Sequence, residues 1–73
     1  NLQLSHLEPV IGLDPEVIIV GTGLQLIFPN TSLTELLAKK KIGLEIMGTP
    51  AACRTYNVLV HEGRRVAAAL FNK

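Results

Sequence analysis

The sequence predicts an α/β protein with a β-α-β-α-β order and a largely parallel central sheet. Three short apolar runs, each bounded by turn-forming residues, have the length of strands rather than of buried helices. The two intervals between them carry apolar residues at helical spacing, and each interval opens with a helix-start signal. Because a helical crossover makes the strands it joins parallel, this order predicts one right-handed α/β unit.

A short N-terminal helix and a buried strand are the first predicted elements. Ser5 and Glu8 have the spacing of a capping box, while Pro9 and Gly12 keep this helix short. Residues 16–21 contain four consecutive β-branched residues. Such a run is typical of a strand that is buried on both faces in a parallel sheet.

The first crossover begins with a tight turn at Gly21-Thr22-Gly23, followed by a brief extended segment over residues 24–28. Ser32 and Glu35 then have the spacing of a capping box, with leucines at helical spacing around them. Three consecutive lysines close this helix, because cations stabilise the C-terminal end of the helix dipole, and Gly43 ends it.

The second crossover leads from a short strand at residues 44–47 into a longer helix. Thr49 is the predicted N-cap and Pro50 the first helical residue, a combination that favours a helix start. Gly63 is the natural C-terminal stop of this helix. Residues 66–71 are apolar on both alternating faces and predict another interior strand.

Three strands that are apolar on both faces need a covering layer on each side of the sheet. Two helices and a short leader hardly supply both layers, and Asn1 is not an initiator Met. We therefore expect residues upstream of Asn1 to supply the missing layer of a three-layer domain. Cover from another chain, including a second copy in a homo-oligomer, is the alternative.

Composition excludes several classes of protein. With 48% hydrophobic and 18% charged residues, the chain is too apolar to be disordered. Cys53 is the only cysteine, so no intrachain disulfide forms, and no cluster of ligands predicts a metal site. No apolar run reaches the roughly 18 residues of a transmembrane helix. The scattered basic residues have no aromatics between them, so nucleic-acid binding is not expected.

Five segments carry a family resemblance. They occur in the order Gly21–Gly23, Phe28–Pro29, Gly43–Thr49, Ala51–Asn57 and Glu62–Leu70. Together they resemble an uncharacterised domain family that includes a mitochondrial assembly factor for NADH:ubiquinone oxidoreductase and an adipogenesis-associated protein. The resemblance covers roughly residues 14–71, and its most specific part is Ala-Cys-Arg-Thr-Tyr-Asn at residues 52–57.

This resemblance implies a compact single domain of about 120 residues, with a mixed sheet, helices and extra N-terminal strands. On this basis residues 1–73 are its C-terminal portion, and the protein is cytoplasmic in a bacterium or mitochondrial in a eukaryote. Gly48 stands where the bacterial members are expected to have an acidic residue. A site that used that carboxylate is therefore absent here.

A cleft at the carboxyl edge of the sheet is the candidate ligand site. The Gly21-Thr22-Gly23 turn and the helix start at Thr49 are expected to meet there, as at ligand sites of α/β sheets. Free N–H groups of residues 51–53 and the Arg54 guanidinium would favour an anion. Leu26 replaces the third glycine of the dinucleotide-binding pattern, so no cofactor is predicted. A tight turn and an ordinary capped helix are the structural alternatives.

No catalytic set emerges from the sequence. Cys53 lies in the first turn of a helix, where a thiol can be nucleophilic, but His61 is about 12 Å away along that helix. A packed, inert thiol is therefore preferred. Arg54, Asn57 and His61 share one polar face of the helix. Glu45 is expected to form a structural ion pair with an arginine. A lone carboxylate does not support acid–base chemistry.

The favoured function is a non-enzymatic protein-interaction or assembly factor that acts on another protein. The alternative is a small-molecule or anion-binding, enzyme-like domain that uses the cleft described above. The arginine expected to pair with Glu45 is Arg54 or Arg64. The candidate ligand- or partner-binding residues are Gly21, Thr22, Gly23, Thr49, Cys53, Arg54 and Asn57.

Overall fold

The computed structural model of the chain describes residues 4–23 and 28–71, apart from the side chains of residues 4 and 5. Its elements are α1 Leu4–Ile11, β1 Val17–Gly21, α2 Thr31–Lys39, β2 Gly43–Met47, α3 Thr49–His61 and β3 Val66–Leu70. This order confirms the predicted β-α-β-α-β unit and the short helix before it. The extended segment predicted for residues 24–28 lies, except for Phe28, outside the described residues.

The three strands form one parallel sheet in the order β2-β1-β3, as the two helical crossovers predict. All five residues of β1 pair on both sides, so that Ile19 lies between Glu45 of β2 and Ala68 of β3. The prediction that β3 is an interior strand is wrong for the described residues, because β3 is at the sheet edge and Leu70 is exposed. Its alanines are small enough to fit either position, so the pattern did not distinguish them.

Side chains of β1 alternate between two hydrophobic clusters, one on each face of the sheet. Ile18 and Val20 belong to the first, whose other buried members come from α1, α2 and the segment before β2: Leu7, Leu33, Leu37 and Ile42. Val17 and Ile19 belong to the second and pack against Ala52 of α3. The helices thus cover both faces of the central strand in a three-layer arrangement.

The start of α2 differs from the sequence prediction. The side chain of Asn30 accepts a hydrogen bond from Ser32 N at 2.8 Å, so Asn30 is the N-cap and the capping box predicted at Ser32 and Glu35 is wrong. The helix ends at Lys39, before Gly43, which instead begins β2. An asparagine with extended backbone is a strong N-cap, and this cap lies two residues earlier than the serine.

The start of α3 also differs in detail. Gly48 occupies the N-cap position and Thr49 is the first helical residue, so Pro50, predicted to be the first helical residue, is the second. The Thr49 hydroxyl does not cap the helix, because it accepts a hydrogen bond from Gly23 N at 2.9 Å. At the other end α3 stops at His61, and Gly63 takes a positive φ of 79°, which confirms the predicted glycine stop.

Glu16 ties together the amino ends of the three strands. Its backbone carbonyl accepts from Gly43 N at 2.9 Å, its carboxylate accepts from Arg65 N at 2.9 Å, and the carboxylate forms an ion pair with Arg64 Nε at 3.3 Å. The Arg65 N–H, with the Arg64 guanidinium beside it, holds the pKa of the Glu16 carboxyl below its usual range. The ion pair predicted for Glu45 is therefore wrong, since Arg64 pairs with Glu16 and Glu45 is exposed on β2.

Gly21, the last residue of β1, permits a close approach between the sheet and α3. A Cβ at this position would lie 3.2 Å from Ala52 Cβ, 3.4 Å from Thr49 Cα and 2.7 Å from Leu70 Cδ2. The exposed end of Leu70 can move aside, but the two α3 atoms belong to the packed second cluster and to the helix backbone. A side chain at this position would therefore require α3 to give way by a few tenths of an ångström.

Gly21→Ala is expected to lower the free energy of unfolding by about 1–3 kcal/mol, as overpacking does in filled cores. Gly12→Ala is the matched control, because a Cβ at Gly12 meets only backbone carbonyl oxygens at 3.7 Å. The control is expected to change stability by less than about 1 kcal/mol. Urea unfolding of both variants measures the difference, and equal stabilities would contradict the close contact at Gly21.

Acid is expected to weaken the Glu16 contacts in a way that Glu16→Gln reveals. A carboxyl whose pKa is lowered on folding stabilises the fold at neutral pH. For Glu16 this stabilisation declines as the pH falls below 4.5, the ordinary pKa of the carboxyl, and it is lost as the pH passes through the lower pKa of the folded state. Unfolding measured from neutral pH to about pH 3 should show wild type more stable than Glu16→Gln at first, with the gap closing in acid. Glu8→Gln, exposed on α1, serves as control. A gap that stays constant with pH would contradict this role.

Candidate functional site

The Gly21-Thr22-Gly23 turn and the start of α3 lie against each other at the carboxyl edge of the sheet. Thr22 is 5% exposed, and its backbone N–H donates to Met47 O at 2.9 Å. Gly23 has a positive φ of 64° and donates its N–H to the Thr49 hydroxyl. The two segments expected to form a cleft are therefore joined directly by the Gly23–Thr49 hydrogen bond.

This junction leaves few groups for an anion. Pro50 has no N–H, and Ala52 N already donates to Gly48 O at 2.9 Å within the helix. The sequence expectation of free N–H groups throughout residues 51–53 is thus wrong at Ala52. Arg54 is exposed on the helix. Among the described residues no group of three or more His, Cys, Asp and Glu side chains could hold a metal ion.

An apolar groove lies beside the junction, between α3 and the open edge of β3. Its volume is about 310 Å³, and it is lined by Ala52, Cys53, Tyr56, Asn57, Ala68 and Leu70. We call it the α3–β3 groove. Leu70 is 51% exposed although it is a large apolar side chain, so this part of the molecule presents hydrophobic surface to solvent.

Two of the predicted site residues, Cys53 and Asn57, line the α3–β3 groove. Cys53 is exposed, so the expectation of a packed thiol is wrong. Ala68 and Leu70, the β3 residues that line the groove, were not predicted as site residues. The two-residue period of a strand nevertheless places both on the face that α3 covers. Their exposure depends on the position of β3 in the sheet, which the sequence pattern alone did not give.

The solvent side of α3 carries a mixed polar and apolar surface. We call its residues Arg54, Asn57, Val58 and His61 the outer face of α3; all four are exposed. Val58 is 56% exposed and lies among the three polar residues that the helical spacing predicted. His61 Nδ1 lies 2.8 Å from Asn57 O, so this ring contacts its own helix rather than Cys53.

No helix among residues 4–23 and 28–71 is long and apolar enough to cross a membrane.

Proteins similar in sequence to this chain include one from Francisella tularensis and one from Rattus norvegicus. The chain is 33% identical over 70 residues to the 13 kDa major membrane protein of Francisella tularensis, a match that covers 96% of this chain and 57% of that protein. It is 41% identical over 64 residues to NADH dehydrogenase (ubiquinone) 1 alpha subcomplex assembly factor 3 of Rattus norvegicus. That match covers 88% of this chain and 32% of the rat protein.

A solved structure has the same fold. The protein of Xanthomonas campestris determined by NMR superposes with a TM-score of 0.85 and 49% identity, over 94% of this chain and 52% of that one. The chain therefore spans between 32% and 57% of the lengths of these three proteins.

The sequence identities and the shared fold agree with one family, which is described as a protein of unknown function (DUF498/DUF598) and matches residues 1–71. The chain belongs to this family.

Proposed function

We propose that this protein is a non-enzymatic interaction domain that serves as an assembly or accessory factor for another protein. The single observation that carries the proposal is the continuous α3 side of the molecule, where an apolar groove and an exposed helix face lie next to each other. The name of the rat relative, an assembly factor, supports the same class of function. The exposed His61 contacts the backbone of Asn57 on its own helix rather than the exposed Cys53.

The outer face of α3 has the chemistry of a protein contact. Arg54 offers an exposed guanidinium that can bind a carboxylate through two parallel hydrogen bonds. Val58, one turn further along, offers an apolar anchor beside it. Arginine next to a buried apolar anchor is a frequent combination at the energetically dominant centre of interfaces. The partner surface that fits would carry an acidic residue opposite Arg54 and an apolar depression opposite Val58.

The whole protein is proposed to be larger than the chain described. Residues 1–73 would be the C-terminal part of a single domain of about 120 residues, a common domain size. The partial coverage of the relatives, 52% of the Xanthomonas chain and 57% of the Francisella protein, supports this. The exposed free thiol of Cys53 supports a reducing compartment, the cytoplasm in a bacterium or the mitochondrion in a eukaryote.

An anion-binding function at the Gly21-Thr22-Gly23 turn has less support. The Thr49 hydroxyl and the Gly23 N–H, which a ligand would need, already bind each other at 2.9 Å. Opening this contact would leave two polar groups unpaired unless the ligand satisfied both. We therefore place the proposed function on the solvent side of α3 and treat ligand binding as an outcome of the test.

Arg54→Ala is expected to reduce capture of the partner by tenfold or more while leaving the fold intact. Loss of an interface arginine commonly costs about 2 kcal/mol or more of binding energy, which corresponds to roughly 30-fold in affinity. The experiment is affinity capture of the full-length protein from its own cells, with quantification of each co-purifying protein. Lys39→Ala removes an exposed cation from α2, on the opposite face of the sheet, and should leave capture unchanged.

Two outcomes would overturn the Arg54 prediction. If Arg54→Ala unfolds the protein, Arg54 is structural and does not report on binding. If wild type, Arg54→Ala and Lys39→Ala recover the same proteins in the same amounts, the outer face of α3 is not the interface. In that second case the turn and helix start become the next surface to test, by titration with inorganic phosphate followed by NMR.

Ala68→Lys is expected to weaken partner capture if the interface extends into the α3–β3 groove, because it places a charge on apolar lining. The matched control is Glu45→Lys. Glu45 of β2 and Ala68 of β3 both pair with Ile19, from the two strands that flank β1, and both are exposed. Capture by the Glu45→Lys protein should equal that of wild type.

The Ala68→Lys result separates three arrangements. Loss of capture with an unchanged melting temperature places the groove in the interface. Full capture alongside the loss in Arg54→Ala confines the interface to the outer face of α3. A large loss of stability in the full-length protein, absent from Glu45→Lys, would mean that another part of the same protein covers the groove.

A further inference from the structure

We draw no further inference here: the strongest candidate, the edge of β3 that has no strand partner among the described residues, with the α3–β3 groove beside it as a docking site for an added strand, belongs to the surface already described, and nothing in the structure shows what covers it.

Discussion

The burial of β1 is the constraint on which the rest of the fold depends. Ile18, Ile19 and Val20 are completely buried, and β1 is the one described strand that has a partner on each side. Burying three such side chains contributes roughly 1.5–3 kcal/mol each, comparable with the total stability of about 5–15 kcal/mol that small domains have. Both hydrophobic clusters are built on this strand, so every helix is positioned through contacts that begin there.

Because Gly21 has no side chain, α3 lies close to the end of the buried strand β1 at the carboxyl edge of the sheet. Because α3 approaches the end of β1 closely, its first residue, Thr49, comes within hydrogen-bonding distance of Gly23. The same hydrogen bond takes Thr49 out of the capping role that its sequence position suggested. The carboxyl edge of the sheet often holds ligands in α/β proteins, and here the Gly23–Thr49 hydrogen bond lies at that edge.

Local signals predicted the elements well, whereas contacts between distant segments decided the details. The β-branched run of β1, Pro50 and Gly63 each act through their own backbone preferences, so the strand, helix start and helix end followed from sequence. Arg64, by contrast, had two carboxylates within plausible reach, and only the pairing of β3 with β1 brings it to Glu16. The N-cap of α2 belongs to the same kind of problem, because Asn30 and Ser32 are both good capping residues.

The sequence pattern also did not predict which strands form the two edges of the described sheet. Glu45 and Ala68 lie at equivalent register positions on either side of Ile19, yet one edge carries a charge and the other is apolar throughout Val66–Leu70. A charged residue in mid-strand discourages further pairing, and an uncharged edge does not. Hydrophobicity alone predicted β3 to be interior, whereas Ala68 and Leu70 of β3 are exposed and line the α3–β3 groove.

The candidate site residues consequently divide into two groups with different physical roles. The junction consists of Gly21, Thr22, Gly23 and Thr49. Its hydrogen bonds join Gly23 to Thr49 and Thr22 to Met47. Cys53, Arg54 and Asn57 remain exposed on α3, beside Val58 and the groove. Recognition requires groups that can exchange water for a partner, and only the second group offers them. The combination of a guanidinium, an amide and apolar surface over one helix suits a protein partner better than a small anion.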